Sequence, residues 1–157
     1  MTPKTFLLLD NIRSVHNVGS IFRTAETLGI SRIYCAGTTP TPLDRFGRKR
    51  ADFKKVSLGA EDSVPWEYVE DPAILIKKLK KEGFTVIALE QDENSVDYKN
   101  VSLGRDTLII LGNEVDGVSP ILLKLSDVIA EIPLKGKKES LNVSVAAGVA
   151  LFRWLDR

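Results

Sequence analysis

The chain has 157 residues, a net charge of +1, 43% hydrophobic and 27% charged residues. These values describe one ordinary domain and exclude a disordered, collagenous or low-complexity chain. One Cys (Cys35) and one His (His16) exclude a disulfide framework and any multi-Cys or histidine-rich metal site, and no apolar run nears the roughly 20 residues that span a bilayer.

The chain opens on Met1-Thr2-Pro3-Lys4-Thr5, which leads into a short strand-like run and not a signal peptide. Phe6-Leu7-Leu8-Leu9 is a continuous apolar run, as expected of a strand buried on both faces. Val18, Ile21, Phe22, Ala25 and Leu28 then recur at helical spacing, predicting a helix from Asn17, a possible N-cap, to Leu28, with Gly29 as its stop. Ile33-Tyr34-Cys35-Ala36 is a second strand. A Pro- and Thr-rich stretch from Thr38 to Pro42 precedes a basic segment.

Asp71-Pro72 reads as an N-cap with Pro at the first helical position, opening a helix that Gly83 ends. Thr85–Leu89 and Thr107–Leu111 are the third and fourth strands. Ser119-Pro120 starts a short helix through Leu125, and Val128–Pro133 is the fifth strand. Leu141, Val145, Gly148, Val149, Phe152 and Leu155 mark one apolar face of a last helix. Strands alternating with helices predict an α/β fold with a mainly parallel sheet, whose ligands gather at the carboxyl ends of the strands.

Several familiar site signatures are missing. There is no Gly-x-Gly-x-x-Gly, no Gly-x-x-x-x-Gly-Lys-Ser/Thr and no Gly-x-Ser-x-Gly, and the single histidine argues against a Ser-His-Asp triad. Three polar segments stand beside the strands instead: Asn17 to Ala25, Leu111 to Gly117, and Ile132 to Ala146. Singly, each residue has a bland use. Asn17 or Ser140 could cap a helix, Gly112 and Gly117 could turn the chain, and Glu114 could be a solvated loop acid. Their joint occurrence at strand ends favours a functional site.

In sequence these segments are Asn-x-Gly-x-x-x-Arg-Thr, Leu-Gly-x-Glu-x-x-Gly and Ile-Pro-x-x-Gly-x-x-x-Ser-Leu-Asn-Val-Ser. They resemble the three motifs of the SpoU (TrmH-type) RNA ribose 2′-O-methyltransferases of the SPOUT superfamily, over nearly the whole chain. The third motif is long enough to make chance agreement improbable, and departs only in having Leu134 where Met is usual. The resemblance implies a five- or six-stranded mainly parallel sheet with helices on both faces and a C-terminal trefoil knot, in one domain over residues 1–157 without a separate RNA-binding domain. It implies S-adenosylmethionine as methyl donor, tRNA or rRNA as acceptor, a homodimer, no metal, no membrane and a cytoplasmic location.

The resemblance assigns residues as well. Arg23, Asn17, Glu114, Ser140 and Asn142 match the catalytic positions, and Leu89, Gly112, Ile132 and Leu141 the donor-contacting ones. Arg23 could help deprotonate the hydroxyl or, because a guanidinium keeps its proton, grip the adjacent phosphate and orient the sugar. Glu114 could hold Arg23 or accept a ribose hydroxyl. Arg45, Arg48, Lys49 and Arg50 form a basic cluster beside Phe46 and Phe53, suited to RNA phosphates, with the aromatics free to stack on bases or to pack inward. Lys135, Lys137 and Lys138 form a second cluster. Cys35 is expected to be a small buried hydrophobe, and the last helix to serve the dimer. A non-catalytic RNA-binding or assembly protein and an enzyme of another nucleotide cofactor are the competing readings.

Overall fold

The structure, a computed structural model, describes residues 2–156; Met1 and Arg157, the ends of the expected 1–157 domain, lie outside the described residues. Seven strands form a single all-parallel sheet in the order β3-β2-β1-β6-β4-β7-β5. They are β1 (Thr5–Asp10), β2 (Arg32–Ala36), β3 (Trp66–Val69), β4 (Thr85–Leu89), β5 (Val96–Asp97), β6 (Thr107–Gly112) and β7 (Val128–Glu131). The helices are α1 (Val15–Thr27), α2 (Ala51–Ser57), α3 (Pro72–Lys81), α4 (Pro120–Leu125) and α5 (Val143–Leu155).

Seven strands replace the five or six expected. The two extra ones, β3 and β5, lie at the sheet edges. Glu67 and Tyr68 of β3 face solvent, and β5 is two residues long. Neither carries the apolar run that burial on both faces demands of β1, β4 and β6.

Alternate residues of the central strands feed two cores. Leu7, Leu9, Ile33, Cys35, Ile87, Ile109 and Leu111 pack with α1, α2 and α5 on one face. Leu8, Tyr34, Val86, Ala88, Leu108 and Ile110 pack with α3 and α4 on the other. A parallel sheet covered on both faces needs this two-sided apolar character. Cys35 is fully buried, and burial pushes its thiol up to about 12.

Two helices depart from expectation. The first begins at Val15, because the Ser14 side chain accepts the Asn17 N–H and caps it; Asn17 sits inside the helix, buried. The last helix is capped by Asn142 and buries Ala147, Ala150, Leu151 and Trp154, leaving Val145, Val149 and Phe152 exposed. Val145, Val149 and Phe152 therefore form an outward apolar stripe, while Leu151 and Trp154 pack inward with the alanines. The helix α2 was hidden in the basic segment, since in seven residues only Phe53 and Ser57 are buried. Among the described residues no helix is long and apolar enough to cross a membrane, and no cluster of His, Cys, Asp and Glu could hold a metal ion.

Candidate active site

Register sets where the site lies. Asp10 of β1 pairs with Gly112 of β6, and Leu89 of β4 stands between Leu111 and Ala130. The loops leaving β4, β6 and β7 thus emerge side by side. They enclose one pocket, lined by Leu89, Glu90 and Gln91, by Gly112 to Val115 with Gly117, and by Ile132, Leu134, Ser140, Leu141 and Val143. Leu89, Gly112, Ile132 and Leu141, which lie on separate segments of the chain, meet there.

Close backbone packing shapes its floor. A Cβ on Gly112 would stand 2.2 Å from the Val118 nitrogen and 2.3 Å from the Gly117 carbonyl carbon, so only glycine fits. Asn113 and Gly117 close the 112–118 loop with paired backbone hydrogen bonds of 3.0 Å. Two carboxylates from neighbouring strand ends strap the loop down. Glu90 accepts the Val118 N–H at 2.8 Å, and the buried Asp10 accepts the Ser119 N–H at 2.9 Å. Neither acid was singled out from sequence, although an acid at the end of an apolar run is the available signal.

Glu114 lines the pocket and reaches with its carboxylate toward the start of α1. Its carboxylate accepts the Arg13 and Ser14 N–H groups at 3.0 Å each and the Asn17 Nδ2 at 3.3 Å. Partial burial pushes this carboxyl up, but the hydrogen bonds from Arg13, from its own N–H, from Ser14 and from Asn17 outweigh it and hold it below the ordinary range. Glu114 therefore does not hold Arg23, as one expectation had it; it secures the start of α1. The Oδ1 of Asn17 accepts a 3.1 Å hydrogen bond from the Nδ2 of Asn142, whose own Oδ1 caps α5 through the Ser144 N–H at 2.9 Å. One polar chain, Asn142 to Asn17 to Glu114, joins all three motifs.

Strand β1 feeds α1 on one face of the sheet and its neighbour β6 feeds α4 on the other, so their carboxyl ends form the topological switch point. Anionic ligands of doubly wound folds dock there, on a helix N-terminus. In this chain Glu114 fills that position, which opposes a nucleotide phosphate site of the usual kind.

Arg23 does not line the pocket. It lies on the exposed side of α1 in a separate shallow groove with His16, Ser20, Lys55 and Phe152. The basic cluster also divides. Arg50 forks onto Asp52 at 3.1 and 2.8 Å, and Arg48 pairs through Nε with Asp44 at 3.1 Å. Arg45 and Lys49 have no acid within ion-pairing distance among the described residues.

The pocket fits S-adenosylmethionine in chemical character. Leu89, Ile132, Leu134 and Leu141 offer apolar walls for a purine, the glycine-tight loop brings backbone groups close, and Glu90 and Gln91 are polar partners for a sugar.

Comparison with known proteins places the chain in a family. The model of the SpoU rRNA methylase family matches residues 4–152. An uncharacterized tRNA/rRNA methyltransferase of Archaeoglobus fulgidus is 39% identical over 97% of this chain and 65% of its own length. The tRNA (guanosine(18)-2′-O)-methyltransferase of Aquifex aeolicus is 31% identical over 91% of this chain and 64% of its own. The crystal structure of an AdoMet-bound rRNA methyltransferase from Sinorhizobium meliloti superposes with a TM-score of 0.86 at 27% identity, covering 98% of this chain and 56% of that one. The chain spans slightly less than two thirds of the length of these curated relatives.

Proposed function

The chain belongs to the SpoU rRNA methylase family, and on that premise we propose that it transfers a methyl group from S-adenosylmethionine to a ribose 2′-hydroxyl of tRNA or rRNA, as a cytoplasmic enzyme. The observation that carries the reading is the single pocket where Leu89, Gly112, Ile132 and Leu141 meet, bordered by Ser140.

The bound donor supplies a methyl on a positively charged sulfur, already activated for in-line displacement. What remains for the protein is to position the hydroxyl and exclude bulk water from the reacting atoms, while the hydroxyl proton passes to solvent at the pocket rim as the methyl leaves the sulfur. Leu89, Ile132 and Leu141 enclose the donor, and Gly112 allows the backbone to approach it. Asn142 and Asn17 join the pocket's rim to α1, with Glu114 fixing their angle by anchoring Arg13 and Ser14. Ser140 lies on the rim, where a hydroxyl can donate to or accept from the ribose. Arg23 keeps its proton, so its role is to grip the phosphate next to the target and orient the sugar with its planar fork.

A homodimer accounts for the distance between Arg23 and the pocket. An outward apolar stripe runs from Leu141 on the pocket wall, just before α5, along Val145 and Val149 of that helix to Phe152 beside Arg23, and all four are 40–51% exposed. A second copy packed on this stripe buries it and lets Arg23 of the partner subunit face the donor. The knot is part of the same reading. The chain must cross from the end of β7 over the ends of β4 and β6 before α5 can pack on α1, and a crossing threaded through a loop would make the trefoil. Arg45, Arg48, Lys49 and Arg50 take part in RNA binding unequally, since Arg50 is already held by Asp52. No observation favours a non-catalytic assembly role.

The test is incubation with labelled S-adenosylmethionine and separated tRNA and rRNA, followed by mapping of the product. Donor binding by calorimetry and label at one alkali-resistant ribose are expected. Failure to bind the donor, together with no label in either RNA, overturns the reading.

A further inference from the structure

The segment between β2 and α2 carries a feature the methyl-transfer site does not use. Phe46 is 67% exposed at the tip of a tight turn closed by the bridge between Leu43 and Lys49. A single exposed ring is unremarkable by itself; three further observations give this one a purpose.

The turn is held in shape. The Asp44 carboxylate accepts the Phe46 N–H at 2.8 Å, the Arg48 N–H at 2.9 Å and the Arg48 Nε at 3.1 Å, while the Asp44 N–H donates to the Arg48 carbonyl at 2.8 Å. Gly47 completes it with φ +77°. The ring is thus displayed on a framework that needs little further ordering when it binds.

Two cations lie over the ring, and an incoming base would stack on it by displacing one of these guanidinium groups toward the base's own phosphate. The guanidinium carbons of Arg45 and Arg48 lie 4.8 and 5.0 Å from its centroid. With Lys49, the turn carries three basic groups against the one carboxylate of Asp44. Flat apolar and cationic surfaces together suit a nucleobase and its phosphate.

The turn is tied to the end of the sheet that bears the pocket. The Thr38 N–H donates to Asn11 Oδ1 at 3.0 Å, and the Thr39 hydroxyl donates to the Leu9 carbonyl at 2.9 Å while accepting the Ile12 N–H at 3.0 Å. Those residues lead directly into Arg13 and Ser14, which Glu114 holds.

We propose that the 43–49 turn is a stacking platform for an unpaired nucleobase near the modified ribose, with Phe46 as the stacking face and Arg45 and Arg48 as its cationic flanks. Bases inside an A-form helix are hidden from such a ring, whereas bases of loops and bulges are available to it. The platform therefore selects single-stranded or looped RNA. The proposal rests on the reading of RNA as substrate.

The experiment titrates the full chain with a short single-stranded RNA containing 2-aminopurine, and with the same strand in a duplex. The wild type is expected to prefer the single strand and to quench the 2-aminopurine. Phe46→Ala should weaken single-strand binding by about 5- to 100-fold and abolish the quench. Phe46→Trp should restore both and Phe46→Leu neither, which separates stacking from mere apolar contact. Calorimetry with S-adenosylmethionine on the same proteins keeps the two readings apart: loss of donor binding in the wild type would overturn the enzymatic reading and leave the stacking result legible. Unchanged single-strand binding in Phe46→Ala, or duplex binding as tight as single-strand binding, overturns the platform.

Discussion

Asn142 donates a hydrogen bond of 3.1 Å from its Nδ2 to the Oδ1 of Asn17, across 125 residues of sequence. The same Asn142 caps α5 with its Oδ1, and the same Asn17 donates to Glu114. One amide group therefore holds the start of the last helix and ties it to the first.

Its two duties can be separated. Asn142→Ala loses both the cap and the tie, at about 1–2 kcal/mol of stability. Asn142→Asp keeps an oxygen for the Ser144 N–H and loses only the donor toward Asn17. Thermal unfolding should place the Asp variant near wild type, while methyl incorporation falls on the order of tenfold or more. Equal activity of the Asp variant and wild type would show the Asn17 tie to be dispensable.

Glu114 makes acid stability a readout of the anchor on α1. Its folded-state carboxyl lies below the ordinary value near 4.5. The stabilisation is therefore fully present above about pH 4.5 and is lost as pH falls through the lowered value. Comparing the melting temperature of wild type and Glu114→Gln from pH 6 downward should show a gap that narrows as the medium becomes acidic. A gap constant with pH would assign the effect to shape and not to charge.

Gly112→Ala tests the floor of the pocket. Its methyl would meet backbone atoms at 2.2 and 2.3 Å, which no side-chain rotation relieves. The expected cost is about 1–3 kcal/mol of stability, with donor affinity by calorimetry falling more than in an alanine variant of the neighbouring pocket residue Gln91.

The basic turn should respond unequally to substitution. Arg45→Ala and Lys49→Ala should each lower the slope of log affinity against log salt by about one, as removal of a phosphate contact does. Arg50→Ala should leave the slope nearly unchanged, because its guanidinium is committed to Asp52 at 2.8 Å. Equal slopes for all three variants would mean that the Arg50–Asp52 pair opens on RNA.

Legibility in the sequence followed the physics of burial. Strands β1, β4 and β6 stood out because a strand covered on both faces must be apolar throughout, while β3 and β5 did not, being an exposed edge and a two-residue pairing. Asn17 resembled a cap because Asn is a common one, and only the three-dimensional register shows Ser14 in that place. The pocket-lining residues Leu89, Gly112, Ile132 and Leu141 were legible only through the resemblance of the chain's motifs to those of the SpoU family. The braces Asp10 and Glu90 were not: each ends an apolar run, but their partners are backbone N–H groups, which residue type does not reveal. In α5 the sequence showed one apolar face, Val145, Val149 and Phe152, but not the second, buried face of Ala147, Ala150, Leu151 and Trp154 that packs inward.

The outward face leads to the last prediction. Val145, Val149 and Phe152 are too apolar to be left in water without reason, and they run between the pocket and Arg23. Val149→Lys with Phe152→Glu places charges on the stripe without touching the buried Ala147, Leu151 and Trp154, so the fold should persist in circular dichroism. On the homodimer reading, sedimentation should report a dimer for the wild type and a monomer for the double variant, and methyl incorporation should fall with the change, because Arg23 would be left on its own groove with no donor facing it. A monomeric double variant with full activity would show instead that one chain brings Arg23 to its own pocket, and would remove the need for a second subunit.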